Sequence, residues 1–185
     1  LTFKPQLWLM IPVALAAAGR WRVLAVAGAT AAALSALSVA VFGIEAWRAW
    51  IALMSGGNAQ FSAWVAAGRV NGLSVFACAR AFGATGDLAN LVQFAAIGIA
   101  VGFVYWLYRQ SEPGPLHLSG LLAATMLAAP HASASDAVLL ALAAPLFVAA
   151  SAAREFRAVP CAVAAAVWIC PLLNPPSVFR AGVMT

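Results

Sequence analysis

Apolar residues fall along this chain in long runs, not in alternation. Residues 7–18 form a first run, opened by Lys4-Pro5-Gln6. Pro5 suits the first turn of a helix, where a missing N–H costs nothing. Gly19-Arg20-Trp21-Arg22 closes this run with a basic, aromatic boundary. Residues 23–42 form a second run, long enough for the roughly 20 residues a membrane-crossing helix needs. Residues 88–108 form another full-length run, carrying Gly98 and Gly102 at the spacing that lets helices approach closely.

The segment between these spans, residues 43–86, reads differently. Ile44, Trp47, Ile51 and Met54 fall on one helical face, with Glu45 and Arg48 three apart beside it. Tryptophan in such a stretch favours the membrane interface. Gly56-Gly57-Asn58 breaks the pattern, and residues 71–82 then predict a short helix with Asn71, Ser74 and Cys78 on one side. It is too short to span comfortably.

After the loop at residues 109–115, apolar sequence runs from 116 to 153 and is interrupted once, by Pro130-His131-Ala132-Ser133-Ala134-Ser135-Asp136. Pro130 disfavours helical geometry in the residue before it, and so ends a helix there. Asp136 is placed to start the next one by capping its N–H groups. Two ionisable groups at a break in apolar sequence point to function by default, because charge near lipid is costly. An ordinary turn would use the same Pro, Ser and Asp. A last run, residues 159–172, contains Pro160 and ends at Pro171.

Composition turns these runs into a class. Hydrophobic residues make up 65% of the 185 and charged ones 8%, where a soluble domain carries about 25% charged. Most of the surface must therefore face lipid. Barrel strands would alternate, and these runs do not, which leaves helices as the way to satisfy backbone groups in a bilayer. The expected fold is all-α: one polytopic membrane helix bundle over residues 1–185, with about six membrane segments and short interfacial helices. The opening Leu1-Thr2-Phe3, with no Met and no charged leader, reads as the interior of a longer chain lacking its N-terminal helices.

The net charge of +5 comes from scattered arginines, so the clustered basic surface of a nucleic-acid binder is not expected. Cys78, Cys161 and Cys170 have no partners at metal-ligand spacing and read as small apolar residues. Neither a metal nor a cofactor is expected. Basic residues in short loops mark the cytoplasmic side. By alternation Arg20, Arg22, Arg109, Arg154 and Arg157 share that side, while Arg48, Arg69 and Arg80 fall opposite. Lys4, Asn71, Ser74, His131 and Asp136 then converge on the outer face, in a cell-membrane protein with several spans.

The order F-K-P-Q, a short apolar run, G-R-W-R, a span and F-G-I-E-A-W-R-A-W resembles glycosyltransferase family 87, enzymes of the GT-C class that use polyprenyl-phosphate mannose. N-G-L-S-V-F-A-C-A-R-A-F-G and A-P-H-A-S-A-S-D-A-V-L-L-A-L are similar to later pieces of that family. The resemblance covers nearly the whole chain and places it as the C-terminal part of such an enzyme. It implies a multi-helix mannosyltransferase that moves a sugar from a lipid phosphate to a glycolipid or polysaccharide on the outer face. The acidic catalytic residue that GT-C enzymes carry between their first two helices would lie before Leu1. The aromatic segment that often precedes the family's last Asp is here Ala132-Ser133-Ala134-Ser135.

Such a transfer needs a base near the acceptor hydroxyl and a cation near the departing phosphate. His131 is the candidate base, since its charge changes near neutral pH; a satisfied loop histidine is the alternative. Lys4 is the candidate cation and Arg80 a second, against an anchoring role for Lys4 at a helix end. Gln6, Asn71, Ser74 and Asp136 complete the candidate donor and acceptor contacts; Asn71 and Ser74 have the start of a helix as their alternative, and Asp136 reads first as a helix cap. A transporter, with polar residues at broken helices, and a non-catalytic membrane subunit are the competing readings. A lipid-linked sugar donor, a glycan acceptor and the bilayer are the expected partners.

Overall fold

The computed structural model describes residues 5–52, 73–110 and 112–151, with 63 and 162 besides; the side chains of residues 5, 6, 134 and 135 are outside the description. The elements of the described residues are helices joined by short turns and loops. A 3₁₀ turn, Pro5–Trp8, leads into α1, Met10–Ala17, and then α2, Trp21–Phe42. Residues 44–52 form α3. Next come α4, Val75–Ala81; α5, Gly86–Gln110; and α6, Pro115–Ala128. A second 3₁₀ turn, Ala134–Ala137, precedes α7, Val138–Ser151.

Two helix ends show how local sequence sets these bounds. Gly19 has φ 67°, and the chain closes α1 with Gly19 N–H donating to Ala16 O (3.1 Å) and Arg20 N–H to Leu15 O (2.8 Å). Gly83, at φ 88°, ends α4 in the same way, with bonds from Gly83 N–H to Arg80 O and from Ala84 N–H to Ala79 O. This paired closure needs a left-handed residue just past the helix, where glycine carries no Cβ penalty.

The core lies where α1, α5 and α6 meet. Met10, Ala14, Ala100, Val104, Ala124 and Ala128 form one buried cluster. On α5 the buried positions are Ala89, Gln93, Ala96, Ala100, Val104 and Leu107, a stripe at three- and four-residue spacing. The opposite face of α5 is equally apolar, with Leu91, Phe94, Ile99 and Trp106 exposed. A helix apolar on its outward side belongs in lipid, and the small residues inside let neighbours approach closely. At Gly120 of α6 an added Cβ would sit 2.6 Å from Leu107 Cδ2 and 3.2 Å from Phe103 Cε1. At that glycine α6 packs directly on the side chains of α5.

α2, of 22 residues, and α5, of 25, are long and apolar enough to cross a membrane. At 1.5 Å per residue they reach about 33 and 37 Å, against a hydrocarbon core of about 30 Å. α6 and α7, of 14 residues each, reach only about 21 Å. They pack on each other as an antiparallel pair, tied by Ser119 Oγ donating to Ala143 O at 2.9 Å. The chain is thus a helical membrane protein. The last apolar run, residues 159–172, lies outside the described residues apart from 162.

Candidate functional site

Pro130 ends α6 as the sequence requires. The helix stops at Ala128, and Ala129, the residue before the proline, is extended at ψ 113°. The 130–136 loop begins there. Met126, Ala129 and Ala132 are buried, with Leu7, Leu73, Leu139 and Leu140 packed against them. Four separate stretches of chain therefore meet at one end of the bundle: the first turn, the start of α4, the broken region and the start of α7. A backbone bond joins two of them directly, Leu73 N–H to Ala132 O at 2.9 Å.

Ser74 is fully buried at the start of α4. It is the helix N-cap, with Oγ accepting the N–H of Ala77 at 3.1 Å. That is why α4 begins at Val75, later than the stretch from 71 expected from sequence. One acceptor lone pair of Ser74 thus serves the helix.

The next donor on this helix, Phe76 N–H, goes to Gln93 Oε1 at 2.9 Å. Gln93 Nε2 lies 3.3 Å from both Leu127 O and Ala128 O. This buried amide was not among the sequence candidates. Its signal was present: it is the one amide between Leu91 and Tyr108 in an otherwise apolar stretch.

Asp136 is also buried. Its Oδ2 accepts Ser133 N–H at 2.8 Å and Ser133 Oγ–H at 2.9 Å. The expected cap of the following helix is therefore replaced by a bond backwards. Ser133 is the N-cap of the 3₁₀ turn, Asp136 lies inside it, and α7 starts only at Val138. The carboxylate holds the loop shut.

His131 is half-buried in the same loop, and burial lowers its pKa from the ordinary 6.5. Desolvation disfavours the imidazolium, so the ring is neutral at pH 7. Arg80, on the last turn of α4, donates from Nη1 to Ala84 O at 2.6 Å. Its Nε is buried and without a hydrogen-bond partner. Part of this guanidinium thus closes its own helix end. Gln6 belongs to the first 3₁₀ turn. Lys4 and Asn71 lie outside the described residues.

The opposite end of the bundle has its own polar group. Arg20 Nη2 stands 4.0 Å from Glu112 Oε2, and an open cavity of about 300 Å³ is lined by Arg20, Tyr108, Arg109 and Glu112 among others. Arg20 and Arg109 share one end, as the alternation of spans requires. Both arginines are exposed. Among the described residues, none of the candidate site residues lines this cavity. His117, near the same end, is buried; its Nδ1 accepts Gly114 N–H at 3.2 Å and its ring meets Tyr108 edge-on. Among the described residues no three His, Cys, Asp or Glu side chains are grouped to hold a metal ion.

A family model described as Glycosyltransferase family 87 matches residues 1–130. The match covers the N-terminal 130 residues, so its weight does not rest on the C-terminal part, and the loop residues from His131 onward lie beyond it. Comparisons with curated proteins and with solved structures returned no match.

Proposed function

The chain belongs to glycosyltransferase family 87, and on that premise we propose that it transfers mannose from a polyprenyl-phosphate donor to a glycolipid or polysaccharide on the outer face of the cell membrane. One observation supports placing the chemistry: Leu73 N–H bonds to Ala132 O at 2.9 Å. That bond joins the Leu73–Ser74 segment to the 130–136 loop. They meet at the end of the bundle away from Arg20 and Arg109, whose shared end is the cytoplasmic one by the charge rule.

In this reading the acceptor hydroxyl attacks the anomeric carbon of the donor sugar. The bond from that carbon to the phosphate oxygen breaks, and the lipid leaves as its phosphate. The hydroxyl proton passes to His131, whose neutral ring can take it. Lys4 stabilises the charge on the departing phosphate. Asn71, Gln6 and Arg80 contribute donor or acceptor contacts, while Ser74 and Asp136 hold the start of α4 and the 130–136 loop in place.

The test uses the full-length protein in proteoliposomes with radiolabelled mannosyl polyprenyl phosphate and a glycolipid acceptor. Protein-dependent label in the acceptor is the expected result. Transfer from a nucleotide sugar instead would overturn the choice of donor. Movement of the lipid across the bilayer without a glycan product would favour a transporter.

A further inference from the structure

We propose that Gln93 is a positioning residue for transfer, setting the register between the Leu73–Ser74 segment and the 130–136 loop. The inference rests on reading those segments as the substrate site.

A buried amide in a membrane helix is costly unless its polar atoms are used. Those of Gln93 are used on two helix ends at once. The start of α4 has N–H groups without intrahelical partners, and the end of α6 has carbonyls in the same position. Ser74 covers Ala77 N–H, and Gln93 Oε1 covers Phe76 N–H. α6 ends at Ala128, so the carbonyls of Leu127 and Ala128 have no following turn to bond to. They go to Gln93 Nε2. An amide is the side chain that can accept at one end and donate at the other. Glutamate keeps the acceptor but loses both donors. Leucine leaves all three backbone groups without this partner.

The consequence reaches the proposed chemistry in one step. Gln93 fixes the start of α4 against the end of α6. Just beyond that clamp Leu73 N–H meets Ala132 O, and Ala132 is the neighbour of His131. A slip of α4 along α6 would therefore move His131 relative to the Leu73–Ser74 segment. A misplacement of about 1 Å can lower a transfer rate about 100-fold.

The test uses the full chain with Cys78, Cys161 and Cys170 replaced by alanine. Leu73→Cys and Ala132→Cys are added, and oxidative cross-linking reads the register. With Gln93 present the pair should cross-link readily, and the kcat of that cross-linked chain is the reference for the Gln93 variants. Gln93→Leu should lose cross-linking yield and lower kcat per folded molecule about 100-fold, and Gln93→Glu should fall between. Once the residual cross-link is driven to completion, the tether should restore kcat in Gln93→Leu.

Normal kcat in Gln93→Leu would overturn the inference. So would a loss that the tether does not repair, which marks a merely structural residue. If Gln93→Leu does not insert, Gln93→Glu carries the same comparison. If the unmutated chain transfers nothing, the functional reading falls, and the cross-linking yields still decide whether Gln93 holds the register.

Discussion

Ser119 of α6 donates its hydroxyl to the carbonyl of Ala143 on α7 at 2.9 Å. It is a polar tie in a helix pair that is mostly apolar. Hydrogen bonds between membrane helices contribute on average about 0.6 kcal/mol, because the separated helices find other partners in the membrane. Ser119→Ala should therefore lower stability by about that amount and leave transfer unchanged. Unfolding in mixed micelles would measure it. A loss of several kcal/mol would mean that the bond organises more than this pair.

Gly120, the next residue, should be far less tolerant. The space beside it is already filled by Leu107 Cδ2 and Phe103 Cε1. Leu107 is itself buried, so it cannot swing clear into solvent. Gly120→Leu should wedge α6 from α5 and cost about 1–3 kcal/mol, the usual range for overpacking. The same micelle assay reads it, and a neutral result would show that α5 and α6 are less closely packed than the glycine implies.

Sequence carried the helices well and the site unevenly. The runs at 23–42 and 88–108 match α2 and α5 within two residues at each end, because length in lipid leaves little freedom. Pro130 was equally legible, since its constraint is steric and local. Ser74 begins a helix, one of the two roles open to it, and Asp136 closes a 3₁₀ turn instead of capping the helix after it. A short polar side chain at a helix start satisfies backbone first, and which N–H it takes depends on where the chain turns. Asp136 bonds back to Ser133 rather than forward into α7. Gln93 was missed because its partners lie 17, 34 and 35 positions away, and nothing local announces them.

The orientation of the bundle yields a direct prediction. In a chain without native cysteines, Glu112→Cys should react with an impermeant thiol reagent only after the membrane is opened. Asn58→Cys should react from outside in intact cells. Glu112 stands at the arginine end, beside Arg20, whereas Asn58 belongs to the stretch that basic-residue counting puts opposite. Reaction of Glu112→Cys in intact cells would invert the topology and move the proposed site to the cytoplasm.

Lys4 is expected to bind the donor phosphate. It directly precedes Pro5 and Gln6, and Leu7 in the first turn packs with Ala132 and Leu73 at the site end. Lys4→Ala should raise KM for the lipid donor about tenfold, the equivalent of one charge-assisted contact of roughly 1.4 kcal/mol, while Lys4→Arg recovers most of it. Equal kinetics for Lys4→Ala and the unmutated chain would leave Lys4 a membrane anchor.

His131 and Asp136 should separate chemistry from architecture. Burial lowers the pKa of His131 from 6.5. Its ring is then neutral and able to accept a proton at pH 7, and transfer should hold as pH drops to 6.5 and fail only below it, through the depressed pKa. Stability follows the same direction. The unfolded chain takes the proton first, so as pH falls from about 6.5 through the folded-state value the unfolded state binds more protons and the fold loses stability. Above 6.5 that penalty is absent. His131→Ala should abolish the acid limb and cut kcat about 100-fold or more, within the range general-base groups supply, with little change in stability. Asp136→Asn keeps an oxygen that can still accept from Ser133 and should retain most activity. If Asp136→Asn inactivates the folded enzyme while His131→Ala leaves kcat and its pH profile intact, the base is the carboxylate, and the roles of the two residues are exchanged.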